Sequence, residues 1–373
     1  MKILLISNYV LDKQESMLRF TDILQKELKK KGHEVKVIRP KPVFGKFFKE
    51  NWRGTGKWFA YIDKFLIFPR NIKEAKNWAD VIHIIDHANS VYIRLVNKKP
   101  HIITCCDFLA IRSALGELKE NHTKITGKIL QHVILNGIKK GKRFACISEH
   151  TMDDLIRIAK IDPKNASVIY MGQNYRYSPM KKSSALNRLK KFGVDFQFFI
   201  HVGNNNWYKN RIGAIRIFEE LIRKPEFSHY NLVMVGKSFT NGMKDFIFRS
   251  GLNNRVIELV GVADEDLRAL YSSAAALIFP SSQEGFGWPI AEAQACGCPV
   301  FTTNRAPMTE VGGNAAVYFD PENPKKAAEI IAQNFGKVKQ MKKKGLINVK
   351  RFSTEKMIRK YIELYKKIKY ENS

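Results

Sequence analysis

Twelve short apolar runs, each followed by a segment of helical period, constrain this chain more than anything else in it. The first set is Lys2–Ser7, Glu34–Ile38, Val81–Ile85, His101–Thr104, Phe144–Ser148 and Ser167–Met171. The second is Phe198–Val202, Leu232–Val235, Val256–Val260, Ala276–Phe279, Pro299–Thr302 and Ala316–Phe319. Runs with so little polar alternation suit strands covered on both faces, which is the habit of parallel sheets. Between the first two runs, Ser16–Lys31 carries Leu18, Ile23, Leu24 and Leu28 near helical spacing and stops at Gly32. Strand, helix, strand opens a doubly wound α/β sheet, and the pattern then runs twice.

A polar stretch, Asn174–Lys191, separates the two sets and reads as a linker. The expected units are therefore residues 1–175 and 190–352. The final segment, Ser353–Tyr370, is amphipathic and helical in period. No GxxxxGK[ST] is present, and no GxGxxG follows the first strand. A P-loop NTPase and an ordinary dehydrogenase both lose ground.

The net charge of +29 asks for a partner or a reason. It is not one basic tail: 33 basic residues stand against 17 acidic before residue 180, and 31 against 18 after it. A Lys-rich solvated surface accounts for this most simply. An anionic membrane surface is the next reading. Nucleic acid is not expected, since no recognition motif accompanies the charge. Five cysteines, an odd number without paired zinc spacing, fit a reducing compartment and no structural metal. The opening MKILLISNYV lacks the pattern of a signal peptide, and no stretch approaches the ~20 apolar residues of a spanning helix. The expected location is cytoplasmic, free or peripheral on the membrane. Residues 43–70 interleave nine aromatics, among them Trp52, Trp58 and Phe65, with Lys and Arg. They suit an interfacial patch or an acceptor wall, but packing of the aromatics into the first unit is the favoured expectation.

The chemistry concentrates in Phe279–Val300. A strand ends at Pro280. A loop follows with Glu284, Gly285, Phe286 and Gly287. Pro289 then marks a helix first turn, and Glu292 lies inside that helix. Glycines let loop amides approach a ligand closely, and a helix N-terminus offers partial positive charge to a diphosphate. Two carboxylates can accept hydrogen bonds from vicinal hydroxyls, of a hexose at one end and a ribose at the other. By spacing alone, solvated helix charges fit equally well.

The wider context resembles the family 4 retaining glycosyltransferases, whose fold is GT-B. The resemblance rests on EGFGWPIAE with its paired glutamates. It is supported by AEAQACGCPVFTTN, MTEVGGNAAVYFDP, GVADEDLRALYSSAAALIFPS and the opening strand with KKKGHEV. It implies two Rossmann-like domains facing across a cleft, with the C-terminal helix (353–373) returning to the first, acceptor-side domain. It implies a nucleoside-diphosphate sugar as donor, a glycan or lipid acceptor, and no metal cofactor. Glu284 would contact donor-sugar hydroxyls, helped by the amides of Gly285, Phe286 and Gly287. Glu292 would hold the ribose. Lys209, in HVGNNNWYKN after Gly203, would neutralise the diphosphate.

Three departures stand out. Asn204 occupies the place of a frequent arginine, so Arg211 is the substitute cation. HIITCCDFLA carries Cys106-Asp107 where His-Asp is usual. Asp107 stays a candidate near the reaction centre, while a thiol replaces histidine poorly. The first loop, Asp12 to Ser16, lacks the usual glycine pair, which makes Ser16 an acceptor-side candidate together with His87 after the third strand. Cys106 and Asn204 also motivate the alternative of a nucleotide-sugar-binding protein with impaired catalysis.

Overall fold

The computed structural model describes residues 1–48 and 55–371. The chain divides into two compact units, Met1–Asn174 with Thr354–Ser373, and Tyr175–Ser353. Each is built on one six-stranded, all-parallel sheet. In the first unit the strands are β1 (Lys2–Ile6), β2 (Glu34–Ile38), β3 (Val81–Ile84), β4 (His101–Cys105), β5 (Arg143–Cys146) and β6 (Ala166–Val168), in the order β2-β1-β3-β4-β5-β6. In the second they are β7 (Phe198–Gly203), β8 (Asn231–Gly236), β9 (Val256–Val260), β10 (Leu277–Phe279), β11 (Val300–Thr303) and β12 (Ala316–Phe319), in the order β12-β11-β10-β7-β8-β9. Ile3 to Ile6 and Leu277 to Phe279 are sealed from solvent on both sides. That is why these runs show no alternation.

Helices cover the sheets as their period dictates. Glu15–Lys30 buries Met17, Phe20, Thr21, Leu24 and Leu28 and leaves its charged residues outside. Ser148 caps the helix Glu149–Ala159 by accepting from the Thr151 amide at 3.1 Å. Asp154 in that helix pairs with Arg157 at 2.7 Å.

Two segments differ from the sequence reading. Residues 175–190 are part of the second unit. Helix Lys182–Leu189 buries Ala185 and Leu189, and Arg188 and Lys191 both bind Asp266 of helix Asp264–Ser273, at 2.9 and 2.6 Å. The aromatic segment is divided rather than packed inward. Phe68 is buried, whereas Phe44, Trp58 and Phe65 are exposed; Trp52 lies outside the described residues. A π-helical turn, Asp63–Ile67, interrupts it. Asp63 is buried there, accepting from the Tyr9 hydroxyl at 2.7 Å and from the amides of Phe44 and Gly45 at 2.9 Å each.

The C-terminal helix, Thr354–Tyr370, closes the first unit. Its Tyr365 hydroxyl lies 2.7 Å from His83 Nδ1 in β3; His83 Nε2 lies 2.7 Å from Thr104 Oγ1 in β4; Thr104 lies 3.0 Å from the Tyr361 hydroxyl. Burial holds the His83 imidazole near a pKa of about 3 instead of 6.5, and His201 in β7 likewise. Unfolded, each ring takes up a proton below about 6.5; folded, it does not until about 3. The unfolded state binds more protons across that window, so stability is full above it and falls as pH drops into it. The expected loss is about 1.4 kcal/mol per pH unit for each histidine. Urea unfolding at pH 7.0 and 5.5 checks this, and a flat profile contradicts it.

Candidate active site

In the second sheet the chain leaves β7 toward β8 and β9, then returns to start β10 on the other side of β7. Such a reversal opens a crevice beyond the carboxyl ends of the two central strands, the usual ligand position in open α/β sheets. The loop after β7 carries Lys209 and the loop after β10 carries Glu284.

The two loops are stitched together. After a turn at Trp207–Lys209, Asn210 adopts a left-handed conformation (φ 47°) and caps helix Arg211–Ile222 by accepting from the Gly213 amide at 3.1 Å. The Asn210 side-chain amide donates to the Pro280 carbonyl at 3.2 Å. The Ser282 amide donates to the Tyr208 carbonyl at 2.8 Å, and Ser281 Oγ lies 2.9 Å from the same carbonyl oxygen. Lys209 Nζ thereby reaches Glu284 Oε1 at 2.6 Å, and Ser281 Oγ donates to the same oxygen at 2.7 Å. The side chains are only 13% and 9% exposed. The ammonium also lies over the rings of Phe279 and Tyr208, at 5.3 and 5.6 Å. Among the described residues nothing donates to Glu284 Oε2, which leaves it able to accept from a ligand hydroxyl.

Beyond Glu284, Gly287 sits at φ +101°, a conformation L side chains rarely adopt, and caps helix Trp288–Ala295 with Pro289 in its first turn. The Phe286 ring is buried edge-on to Trp288 and Phe352, which anchors the loop. Glu292, one turn into the helix, accepts from the Tyr271 hydroxyl at 3.1 Å. Burial and the neighbouring carboxylate push the Tyr271 phenol far up, so it stays a donor. The second unit therefore gathers Gly203, Lys209, Glu284, Gly285, Phe286, Gly287 and Glu292 at the loops and helix start beyond β7 and β10.

Two further donor-binding candidates, Asn204 and Arg211, have partners within the protein. Asn204 shapes the turn: its Oδ1 accepts from the Asn206 amide at 3.0 Å. Arg211 is almost wholly buried. Its guanidinium donates to the Lys237 carbonyl at 2.7 Å and to Asn205, and lies over the Phe239 ring at 5.2 Å. These contacts brace the loops after β7 and β8, while its Nε and Nη2 are buried without a hydrogen-bond partner among the described residues. Ser281, Tyr271 and Asn210 escaped the sequence reading. Ser281 had one signal, its place at the end of β10, three residues before Glu284.

Residues 187–335 match the family described as Glycosyl transferases group 1, and residues 18–175 match Glycosyltransferase Family 4. The O-antigen chain mannosyltransferase B of Escherichia coli is 25% identical over 253 residues, 66% of each chain. The O-antigen chain mannosyltransferase RfbU of Salmonella typhimurium is 29% identical over 190 residues, 50% of this chain and 49% of that one. The matched stretches thus span only half to two thirds of these relatives' own length. Among solved structures, Anabaena HepE in complex with UDP and glucose superposes with a TM-score of 0.74 at 17% identity, over 97% of this chain and 98% of that one. Sucrose-phosphate synthase from Thermosynechococcus elongatus gives 0.74 at 17% identity, over the whole of both chains.

The chain belongs to the family 4 glycosyltransferases. Its fold class is GT-B, two Rossmann-like α/β units.

The first unit of this glycosyltransferase repeats the arrangement at its own reversal, between β1 and β3. Asn8, after β1, donates to Asp86 Oδ2 at 2.6 Å, and Asn89 donates to Asn8 Oδ1 at 3.2 Å. Asp86 Oδ1 accepts from the Ala88 amide at 2.9 Å. His87 is nearly buried, with Nδ1 3.3 Å from Asp86 Oδ1, and stacks on the Phe108 ring at 5.4 Å. The next strand ends beside them. Cys106 turns inward with its Sγ 3.1 Å from Met17 Sδ, and burial raises its thiol well above the usual range. A protonated, enclosed thiol does not act as nucleophile or base. Asp107 Oδ1 accepts from the Leu109 amide at 3.0 Å. Ser16 is exposed on the first turn of the opening helix.

Proposed function

We propose that this glycosyltransferase moves a hexose from a nucleoside-diphosphate sugar to an acceptor hydroxyl, with retention of anomeric configuration. The observation that carries the reading is the Lys209–Glu284 pair beyond β7 and β10, beside a helix N-terminus. As the glycosidic bond to the donor breaks, charge collects on the leaving diphosphate. Lys209 and the amide-rich start of helix Trp288–Ala295 stabilise that charge. Glu284 holds the sugar through its free oxygen, and Glu292, steadied by Tyr271, holds the ribose. The departing phosphate accepts the proton of the acceptor hydroxyl on the same face of the sugar. Catalysis is then positioning and charge stabilisation, without a metal.

The first unit binds the acceptor, with His87, Asp107 and Ser16 as its contacts and the Asn8–Asp86 pair as their support. The names of the two curated relatives favour mannose as the sugar and an O-antigen-type chain as the acceptor, and the strongly basic chain favours a lipid-linked one. Such an acceptor places the enzyme on the cytoplasmic membrane face; no described helix is long and apolar enough to cross a membrane. Cys106, turned away from the strand end, favours a second reading in which donor is bound but not transferred. Incubation with UDP, GDP and ADP hexoses separates the two. Transfer is expected from one of them, and the one-bond carbon–hydrogen coupling at the product's anomeric centre is expected to match the donor's. An inverted product contradicts retention, and binding without turnover supports the second reading.

A further inference from the structure

We propose that the outer face of helix Ile125–Ile138 docks the first unit onto an anionic lipid bilayer. This deepens the membrane part of the reading above and is separable from sugar transfer. The helix is apolar on two opposite faces. Its inner face buries Ile134, Leu135, Gly137 and Ile138 against the turn His87–Tyr92. Ser90 Oγ donates there to the Ile134 carbonyl at 2.7 Å, and a Cβ on Gly137 would stand 2.4 Å from the Ser90 carbonyl oxygen. The helix is thus pressed flat on its support. Its outer face carries Ile125, Ile129 and Val133, which are 78%, 60% and 48% exposed. Spaced four apart, they line one stripe.

The two longest amphipathic helices among the described residues do not do this. Glu15–Lys30 exposes Glu15, Arg19, Asp22, Lys26, Lys29 and Lys30. Thr354–Tyr370 exposes mainly Lys, Arg and Glu. A single exposed isoleucine means little, but an aligned row of them marks a contact surface.

Charge identifies the partner. From residue 121 to 148 the chain has no Asp or Glu and six Lys or Arg, with Lys124 and Lys128 beside the stripe and Lys139 and Lys140 at the helix end. An apolar stripe within an acid-free basic rim complements anionic headgroups over acyl chains. A second copy of this chain would bring the same lysines face to face. A second exposed apolar group braces the same turn: Trp58 and Leu66 are exposed, Phe68 packs on the Tyr92 ring at 5.2 Å, and the Tyr92 hydroxyl donates to the Lys64 carbonyl at 3.1 Å. The two apolar groups therefore rest on one support.

The test is co-sedimentation of the full chain with vesicles of phosphatidylcholine and phosphatidylglycerol at 7:3, and with phosphatidylcholine alone. The variants are Ile125→Ser/Ile129→Ser/Val133→Ser, Lys124→Gln/Lys128→Gln, and, as a control on the second unit, Phe248→Ser. All replaced side chains are exposed, so unchanged melting is expected and is measured first. The wild type is expected to bind the anionic vesicles and to bind them less in 0.5 M salt. The triple variant should lose at least tenfold in partition and the lysine variant should bind more weakly and with a shallower salt dependence, while the control binds as wild type. Donor turnover with a soluble acceptor should be the same in wild type and triple variant, and its absence from both would count against the transferase reading without touching the docking claim. Failure of the wild type to bind, or equal binding by the triple variant, overturns the proposal. So does light scattering that shows a wild-type dimer split by the three serines, which assigns the stripe to a protein contact.

Discussion

Lys209→Met is expected to lower donor turnover by about 10²–10³-fold, the scale on which one preorganised group facing developing charge acts. The pair it breaks is also buried. With the ammonium gone, the Glu284 carboxylate keeps only the Ser281 hydroxyl as donor. Leaving a buried charge without its partner costs about 3–5 kcal/mol of stability. Loss of activity alone would therefore be ambiguous, and Lys209→Met/Glu284→Gln resolves it. The double variant has no orphaned charge and should regain most of the stability lost in Lys209→Met. It should regain no turnover, because the cation and the sugar-binding carboxylate are both absent. Release of nucleoside diphosphate measures the first quantity and urea unfolding the second. Turnover that recovers together with stability would make the pair a structural ion pair and nothing more.

Tyr365→Ala is expected to be the most damaging change outside that site. The residue is fully buried in the C-terminal helix and holds one nitrogen of His83, whose other nitrogen holds Thr104. Removing a buried aromatic side chain costs about 3–5 kcal/mol. The unsatisfied imidazole adds about 1–3 kcal/mol, which is the whole cost expected of Tyr365→Phe. The damage should be local. Hydrogen exchange read by mass spectrometry should quicken in β3, β4 and the C-terminal helix and leave β7 to β12 unchanged. Uniform quickening, or none, contradicts the assignment of this helix as the closing element of the first unit.

The twelve strands were legible because a parallel sheet buried on both faces leaves nearly unbroken apolar runs. The helix starting at Glu15 was legible because its buried face repeats at helical spacing. Helix Lys182–Leu189 was not, because its Lys-rich sequence looks like a linker until Asp266, more than 70 residues on, supplies the partner for Arg188 and Lys191. The turn around Asp63 was hidden for the same reason: its partners Tyr9 and Gly45 come from elsewhere in the chain. In the site, Glu284 and Glu292 could be picked out, yet spacing alone did not decide their role. Lys209 became a candidate only through the family resemblance, since residues 75 apart meet by topology. Arg211 shows the limit of that reasoning. It was named to fill the place of Asn204, and no spacing in the sequence announces the partners its guanidinium has in the Lys237 carbonyl and Asn205.

The central claim is that the second unit holds a nucleoside-diphosphate sugar through Lys209, Glu284 and Glu292. Thermal unfolding of the wild type with a panel of UDP, GDP and ADP hexoses tests it most directly. A ligand that binds only the folded state stabilises it by about 2.7 kcal/mol at a hundredfold excess over its Kd. One nucleotide class is expected to raise the melting temperature of the wild type, and the rise is expected to vanish in Lys209→Met/Glu284→Gln. No rise with any member of the panel, or an equal rise in the double variant, would contradict it.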